Sequence, residues 1–402
     1  MDKRLHELDA LRGLAALSVL FSHLFLVLPL VWGTAHPRGH PWYLQMFMFS
    51  PLRIFWAGHE AVMFFFVLSG FVLALPFFGT KPAVPYPLYL AKRILRIYSP
   101  YIVAALVAMG LREVLYKGDV GGVSGWFNQS WKVSATPEAI GQHLLMIGSF
   151  NNSEFNPVLW SLVHEMRISI VFPLIALGLV RHQKIVVALP ILFTTIYWLA
   201  GSLNFRGIMS FDHDYFATLH YSGFFILGSL LAKYRKGLVR VLSAASRSGK
   251  LALLSAAVLA YTNPFWFPYI DVPGPGWINA LFAKRWFHEW ITAGGVAVFM
   301  LLAIMPGVIS RVLRARPLVF LGAISYSLYL FHAVILKALV TLAAEEFPLG
   351  IVLLCVVPVA LVAAAASWRW IEVPSIRLGK SISAWWYRHF PETRTMRSDK
   401  LP

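Results

Sequence analysis

The chain is poor in cysteine and in charged side chains. Its 402 residues include one cysteine, and only 13% of them are Asp, Glu, Lys or Arg, whereas about a quarter of a typical soluble domain is charged. The single Cys355 excludes an intrachain disulfide and argues against a cysteine-built metal site. Apolar residues, by contrast, make up 58% of the chain, and the mean hydropathy is +0.66. This composition predicts a membrane protein.

Apolar stretches of about 20 residues, enough to cross a bilayer, recur along the whole chain. We predict an all-α polytopic membrane protein with about ten transmembrane helices. They are expected near residues 10–31, 54–78, 94–115, 157–180, 185–203, 214–233, 250–266, 288–306, 317–340 and 349–371. The basic N-terminus resembles that of a signal peptide, but the first apolar run is too long and contains Arg12 and His23. We therefore expect this run to remain as the first helix.

Lysine and arginine are unevenly distributed between alternate loops. The net charge is +17, and most of the 35 basic residues fall on one side if the N-terminus is inside. Because short cytoplasmic loops collect basic residues, we expect both termini in the cytoplasm. This bias and contact with anionic membrane lipids account for the charge, so no nucleic-acid partner is expected. We predict one membrane domain, residues 1–376, and a basic cytoplasmic tail, residues 377–402, that lies on the inner membrane surface or is disordered.

The first predicted helix carries two ionisable side chains on one face. Arg12 and His23 are eleven residues apart, so they point within roughly 20° of one direction and lie about 16 Å apart along the axis. An ionisable residue inside a bilayer is by default a functional-site hypothesis. The alternative for His23 is a structural hydrogen bond to a neighbouring helix.

Three more predicted helices bring polar groups to the expected outer half of the membrane. Glu60 lies about six residues from the outer end of the second helix, at a depth similar to that of His23. Glu165 lies in the first two turns of the fourth helix, and Tyr329 and His332 lie in the outer half of the ninth. For Tyr329 and His332 we favour packing and cavity lining over catalysis, since polar groups are common between membrane helices.

A basic cluster is predicted at the inner end of the third helix. Arg93 and Arg96 are three residues apart and therefore share a helix face. Together with Arg12 they would form a cationic mouth suited to phosphates, since guanidinium groups match phosphate oxygens in geometry. The alternative is ordinary snorkelling of basic side chains to lipid headgroups.

The connection between the third and fourth helices, residues 117–156, is rich in Gly, Ser, Asn and Trp. Trp126 and Trp131 would form a lid or a sugar-stacking surface over an outward cavity. Aromatic side chains also rest at the level of the headgroups in many membrane proteins. The sequence leaves both interpretations open.

Short motifs along the chain resemble those of the acyltransferase 3 family of integral membrane acyltransferases. In chain order they are LDALRGLAA at 8–16 with His23, FFFVLSGF at 64–71, RILRIYSP at 93–100, LWSLVHE at 159–165, ISYSLYLFH at 324–332 and WIEVP at 370–374. The resemblance spans residues 8–374. The chain departs from the family after Glu165, where Met166 and Arg167 stand in place of a further acidic residue and aromatics.

The resemblance implies an O-acyltransferase that moves an acyl group, often acetyl, from cytoplasmic acyl-CoA to an acceptor hydroxyl. It implies that Arg12 and His23 are the functional pair and that Arg93 and Arg96 bind the donor. We expect acetyl-CoA as donor substrate, no permanently bound cofactor and no metal. The expected acceptor is a cell-surface or exported carbohydrate, with lipid-linked glycans or small hydrophobic molecules as alternatives. The expected location is a bacterial cytoplasmic (inner) membrane.

In the mechanism that we hypothesise, His23 acts as general base on the acceptor hydroxyl or forms a transient acyl-histidine. Glu60 or Glu165 would orient it, as a carboxylate orients the histidine of a catalytic triad. Intramembrane Arg, His and Glu are equally expected in a proton-coupled transporter, and a non-catalytic lipid- or glycan-binding protein is a third class. A phosphate-suited cluster and the lack of internal repeats favour the enzyme.

Overall fold

The computed structural model describes residues 5–32, 40–79, 84–203, 215–266 and 284–391. Within these ranges the chain is helical and has no β-strand, which confirms the predicted all-α class. Nine of the described helices are long and apolar enough to cross a membrane. The end of the predicted basic tail, from residue 392 on, lies outside the described residues.

Eleven described helices have 15 residues or more. They are α1 His6–Leu26, α2 Gly58–Ala74, α3 Tyr86–Leu115, α4 Leu159–Arg181, α5 Gln183–Ser202, α6 Tyr215–Ala244, α7 Arg247–Tyr261, α8 Arg285–Ile304, α9 Arg316–Ala343, α10 Leu349–Ser367 and α11 Val373–His389. A π-helical turn, Trp368–Glu372, joins α10 to α11. The helices thus follow the predicted spans, although α6 runs eleven residues past its predicted end. Two further differences in length concern α7 and α3.

The predicted seventh span is the first difference. With 15 residues, α7 is about 22 Å long, which is less than the roughly 30 Å hydrocarbon core of a bilayer, and it is not among the nine span-length helices. It packs antiparallel to α8. Gly295 lies against the carbonyl of Ala257, and further along Asn263 donates to the carbonyl of His288.

The second difference is the start of α3. This helix begins at Tyr86, eight residues before the predicted start, and Pro85 and Pro87 flank its first residue. Proline is well accommodated in the first turn of a helix, where the backbone N–H has no partner within the helix. Arg93 and Arg96 therefore lie about two to three turns inside α3. The prediction that they open the helix is wrong.

Small residues allow α1 and α9 to approach closely. A Cβ atom at Gly322 would lie 2.2 Å from the carbonyl oxygen of Asp9, and one at Gly13 would lie 2.7 Å from the backbone nitrogen of Gly322. Such contacts between backbones are typical of membrane helices, which lack a hydrophobic driving force for association within lipid. The crossing fixes the N-terminal half of α1 against the start of α9.

The chain divides into two compact units. The first comprises Met1–Ser69, Gly122–Phe127 and Lys233–Ser325, and the second comprises Gly70–Gly121, Asn128–Ala232 and Tyr326–Pro402. Helices α2, α6 and α9 contribute residues to both. In the first unit α7 packs on α8, and in the second α3 packs on α4 and α11. The first part of the predicted tail is thus helical, and its Gly379 lies against Lys92 of α3.

Candidate active site

The side chains predicted for the site are divided between the two units. The first unit contains Arg12, His23 and Glu60. The second unit contains Arg93, Arg96 and Glu165. The prediction that His23, Glu60, Glu165 and His332 lie at one depth relates residues of both units and stays a prediction.

Arg12 is held in the N-terminal half of α1 by the first turns of α9. Its Nε donates to Ser325 Oγ and its Nη2 donates to the carbonyl of Gly322, both at 2.8 Å. A carboxylate oxygen of Asp9 lies 4.0 Å from Nη2, and the Arg12 side chain is 20% exposed. Because its close partners are neutral, Arg12 is a fixed and partly accessible cation.

His23 lies in the last turns of α1 and is half-buried. Its imidazole stacks on the indole of Trp126, with ring centroids 5.0 Å apart and 29° between the planes. Ser124 attaches this loop to the end of α1, because its N–H donates to the carbonyl of Val27 at 2.8 Å and its Oγ donates to that of Leu26. These contacts support the lid interpretation for Trp126.

Trp131 fits neither interpretation made from the sequence. It is fully buried, its Nε1 donates to the carbonyl of Phe155 at 2.9 Å, and the Lys337 Nζ lies 5.3 Å from the centroid of its ring. Lys337 also donates to the carbonyl of Ser130 at 3.2 Å. Trp131 is therefore part of the packing of the second unit and covers no cavity that the sequence predicted.

Glu60 lies in the first turn of α2, where the helix N-terminus stabilises a carboxylate. The contact of α2 with α1 is made two residues earlier, because a Cβ at Gly58 would lie 2.6 Å from Ser22 Oγ. Two residues correspond to about 200° around a helix. Glu60 thus lies close in sequence to the point where α1 and α2 touch, but on the opposite face of α2 from α1.

On that face Glu60 lines a cavity of 280 Å³, which we call the α2–α8 cavity. Its polar lining comprises His59, Glu60, Arg285, His288, Glu289 and Thr292. The Glu289 Oε1 accepts hydrogen bonds from His59 Nε2 at 2.7 Å and from Arg285 Nε at 3.1 Å. Glu289 is a buried carboxylate in a span-length helix, and an acidic residue in such a helix could have been recognised in the sequence as a candidate site residue. Its pairing with His59 could not, because no local sequence pattern relates the two.

In the second unit, Arg93 forms an ion pair with Glu165. The Nη2–Oε1 distance is 2.7 Å, and the two side chains are 12% and 16% exposed. Ser169, one turn along α4 from Glu165, accepts hydrogen bonds from Arg93 Nε and Nη2 at 3.2 and 3.0 Å. The prediction that Arg93 and Glu165 lie at different depths is wrong, because the early start of α3 brings the two side chains to one level.

Other predicted residues of the second unit have defined surroundings. Arg96 is exposed on α3, three residues after Arg93. The hydroxyl of Tyr329 lies 2.7 Å from Ser161 Oγ, and the Nδ1 of His332 bonds the carbonyl of Leu328 in its own helix. Both side chains are buried. These contacts are those of helix packing, the role that we favoured for Tyr329 and His332.

Arg167, at the position where the chain departs from the family motif, anchors a loop. It donates to the carbonyls of Ile147 and Gly148 and to Thr218 Oγ1, and it is 7% exposed. His164 shares this anchor, with its Nδ1 2.8 Å from Thr218 Oγ1. Among the described residues, no group of three or more His, Cys, Asp or Glu is placed to hold a metal ion.

These observations define the class of protein. It is an all-helical protein with several membrane-spanning segments, and its helices carry an arginine, a histidine and carboxylates. A family model described as an acyltransferase domain matches residues 5–367. The chain belongs to this family, the acyltransferase 3 family, and is thus a membrane acyltransferase. No match was found among curated proteins or among solved structures.

Proposed function

We propose that the protein transfers an acetyl group from cytoplasmic acetyl-CoA to a hydroxyl group of a cell-surface or exported carbohydrate, in a bacterial inner membrane. Membership of the family supports the acyl transfer. The observation that carries the rest is the arrangement on α1, where Arg12 is fixed by α9 and His23, eleven residues along the same face, is covered by Trp126. This spacing of about 16 Å suits a donor whose charged and reactive ends are far apart.

The donor end of the site would use guanidinium groups. Arg12 is partly exposed and Arg96 is exposed, so both are accessible to the phosphates of CoA. Arg93 differs, because Glu165 already holds its guanidinium group. We assign Arg93 to the donor site together with Glu165, which fixes the direction of its remaining N–H donors.

At the reactive end, His23 would act on the acceptor. The acceptor oxygen attacks the thioester carbonyl, the C–S bond breaks, and the hydroxyl proton passes through the His23 imidazole to the sulfur of the departing CoA. In the second form of the mechanism, the imidazole attacks the thioester carbonyl, the C–S bond breaks and the CoA thiolate leaves. The acceptor hydroxyl then attacks the acyl-histidine, the C–N bond breaks, and the hydroxyl proton passes to the CoA thiolate. Imidazole suits both forms because it exchanges protons near neutral pH.

The carboxylate that supports His23 is still to be assigned. Glu165 is engaged with Arg93, and Glu60 faces away from α1. We propose Glu60 or Glu165 for this role, which requires the carboxylate to reach the second ring nitrogen of His23, as in a catalytic triad. The role proposed for Glu60 in the next section would leave this one to Glu165.

Substitution of His23 tests the proposal. Membranes that contain the His23→Ala variant at normal expression, incubated with labelled acetyl-CoA, are expected to lose at least about 100-fold in transfer, the usual contribution of a general base. The matched control is His6→Ala, a histidine of the same helix whose side chain is 48% exposed. Full activity of His23→Ala would contradict the assignment. Mass spectrometry of envelope glycans from cells with and without the gene identifies the acceptor.

A further inference from the structure

The α2–α8 cavity has a charged floor and an accessible rim. The carboxylates of Glu60 and Glu289 are each about 3% exposed. At the rim, the side chain of His59 is 30% exposed and that of Arg285 is 46% exposed. All four residues belong to the first unit. A ligand can therefore enter past the basic side chains of the rim and reach two buried carboxylates, which accept hydrogen bonds.

The two carboxylates differ in their hydrogen bonds. Glu289 is satisfied by His59 and Arg285. The Oε2 of Glu60 is buried and has no hydrogen-bond partner among the described residues. Buried polar atoms are nearly always hydrogen-bonded, since leaving one unpaired is costly. Because a carboxylate oxygen accepts, Glu60 calls for a donor that the described residues do not supply.

The size and the charge of the cavity limit what that donor is. A volume of 280 Å³ is near the lower end of the ~300–1,000 Å³ typical of small-molecule pockets, and it corresponds to on the order of nine water molecules. Two carboxylates repel an anion, whereas neutral hydroxyl groups donate to them well. Met63 and Pro264 also line the cavity and offer apolar contact. A single sugar ring, with hydroxyl edges and an apolar face, has these properties.

The side chains that line the cavity do not include His23. Glu60 is turned by about 200° around α2 from Gly58, the residue that meets Ser22 of α1. A proton outlet through Glu60 is not needed either, because the hydroxyl proton of the acceptor ends on CoA. The remaining role for the cavity is to bind a part of the acceptor that does not react.

We propose that the α2–α8 cavity is a subsite for a second sugar ring of the acceptor, with a ring hydroxyl donating to Glu60. This inference rests on the proposed function. It makes the acceptor an oligosaccharide or a polymer, and it makes Glu60 a binding residue. Interactions with remote parts of a substrate supply energy that positions the reacting group.

Direct binding is the first test. The probe is the mixture of oligosaccharides released from the envelope of cells that lack the gene, titrated into the full-length protein in detergent without donor and followed by calorimetry. We expect binding to the wild type and a loss of about tenfold or more in Glu60→Leu, since a hydrogen bond to a charged group is lost. The matched control is Glu346→Gln, an exposed carboxylate in a loop, which is expected to bind like the wild type.

Folding of the variants is checked by thermal unfolding. Replacing a buried, unpaired carboxylate by an apolar residue of similar size is not expected to destabilise the protein. Glu60→Gln provides a second variant, whose loss of binding is expected to be smaller than that of Glu60→Leu. Absence of binding by the wild type, or wild-type binding by both Glu60 variants, would overturn the subsite.

Kinetics distinguish the subsite from the proposed function. At saturating acetyl-CoA, the ratio of kcat/KM for the intact oligosaccharides to kcat/KM for the monosaccharides from their hydrolysis is expected to fall about tenfold in Glu60→Leu, mainly through KM. A fall in kcat at constant KM would instead make Glu60 a catalytic residue and overturn the subsite. Binding without transfer in the wild type would refute the proposed function alone, and transfer with an unchanged ratio would refute the subsite alone.

Discussion

Arg93 and Arg96 lie on one face of α3 but have different surroundings. Arg93 is bonded to Glu165 and Ser169, whereas Arg96 is exposed. A partly buried guanidinium group that is paired with a carboxylate stabilises the position of its helix, while an exposed one can be reached by a ligand from solvent. Within this motif, we therefore expect stability and donor binding to respond to different substitutions.

Substitutions of Glu165 and Arg96 separate these roles. Glu165→Leu leaves the Arg93 guanidinium without its carboxylate, and because this pair is only partly buried we expect a cost of about 1–3 kcal/mol, between that of an exposed pair and that of a fully buried one. We expect a lower unfolding temperature in detergent. Arg96→Gln is expected to unfold like the wild type and to raise the KM for acetyl-CoA in the transfer assay. An unchanged KM in Arg96→Gln would refute its role in donor binding.

The sequence was informative about single residues where the signal is local. The shared face of Arg12 and His23 follows from helical periodicity over eleven residues, and the structure has both in α1. The bond between His59 and Glu289 joins residues 230 positions apart, and no periodicity relates them. The partner of Arg93 was missed for a different reason. The sequence suggested a later start of α3, because the basic residues Lys92 and Arg93 separate its first two turns from the long apolar run that follows.

At the scale of helices, the crossing of α1 and α9 depends on the absence of side chains. The backbone of α1 at Asp9 occupies the space that a Cβ at Gly322 would need. The same crossing holds Arg12, because both of its close partners, Gly322 and Ser325, are on α9. Helix spacing and the position of the arginine are therefore coupled.

Alanine substitutions test this coupling. In Gly322→Ala the new methyl group forces α1 away from α9, and overpacking of this kind costs about 1–3 kcal/mol. The control is Gly294→Ala in α8, where an added Cβ meets no atom of the described chain within 4 Å and alanine gains up to about 1 kcal/mol of helix propensity. We expect opposite shifts in unfolding temperature. Equal shifts would show that the crossing tolerates a side chain.

The short helix Pro137–Leu145 of the second unit contains a pH-sensitive contact. His143 is 1% exposed and lies between the rings of Phe150 and Phe155. Burial lowers the pKa of His143 from its usual 6.5, although its hydrogen bond to the carbonyl of Ala139 acts in the opposite direction. The folded segment therefore favours the neutral imidazole.

The sign of the pH dependence follows from this pKa. As the pH falls below about 6.5, the unfolded segment takes up a proton that the folded one resists, so stability decreases. We expect less protection from hydrogen exchange in residues 137–155 at pH 5.5 than at pH 7.5, after correction for intrinsic rates. His143→Phe is expected to remove this difference, and a difference that persists would assign it to another group.

At the scale of the whole molecule, the number of membrane crossings depends on α7. Although α7 is short, it runs antiparallel to α8. Asn263, just after α7, contacts His288 near the start of α8, and Ala257 of α7 lies beside Gly295 further along α8. We therefore expect α7 to cross the same layer as its span-length neighbour, with local adjustment of bilayer thickness. Ten crossings would return both termini to one side, as the distribution of basic residues predicts.

Cysteine labelling tests this topology. The background is Cys355→Ser, which removes the only cysteine of the chain. We expect a membrane-impermeant maleimide to label Gln129→Cys in intact cells, and to label Ala245→Cys and Ala315→Cys only after permeabilisation. All three positions are exposed. Labelling of Ala245→Cys and Ala315→Cys from opposite sides would show that α7 does not cross the membrane.

An idle acyltransferase faces competition from water, which is far more abundant than any glycan. The indole of Trp126 covers one face of the His23 imidazole, and Ser124 ties that loop to the end of α1. In the proposed reaction an acceptor gains access to His23 by taking the place of this ring. Thioester consumption is then tied to the arrival of an acceptor, so that a cell making no glycan would lose little acetyl-CoA to hydrolysis.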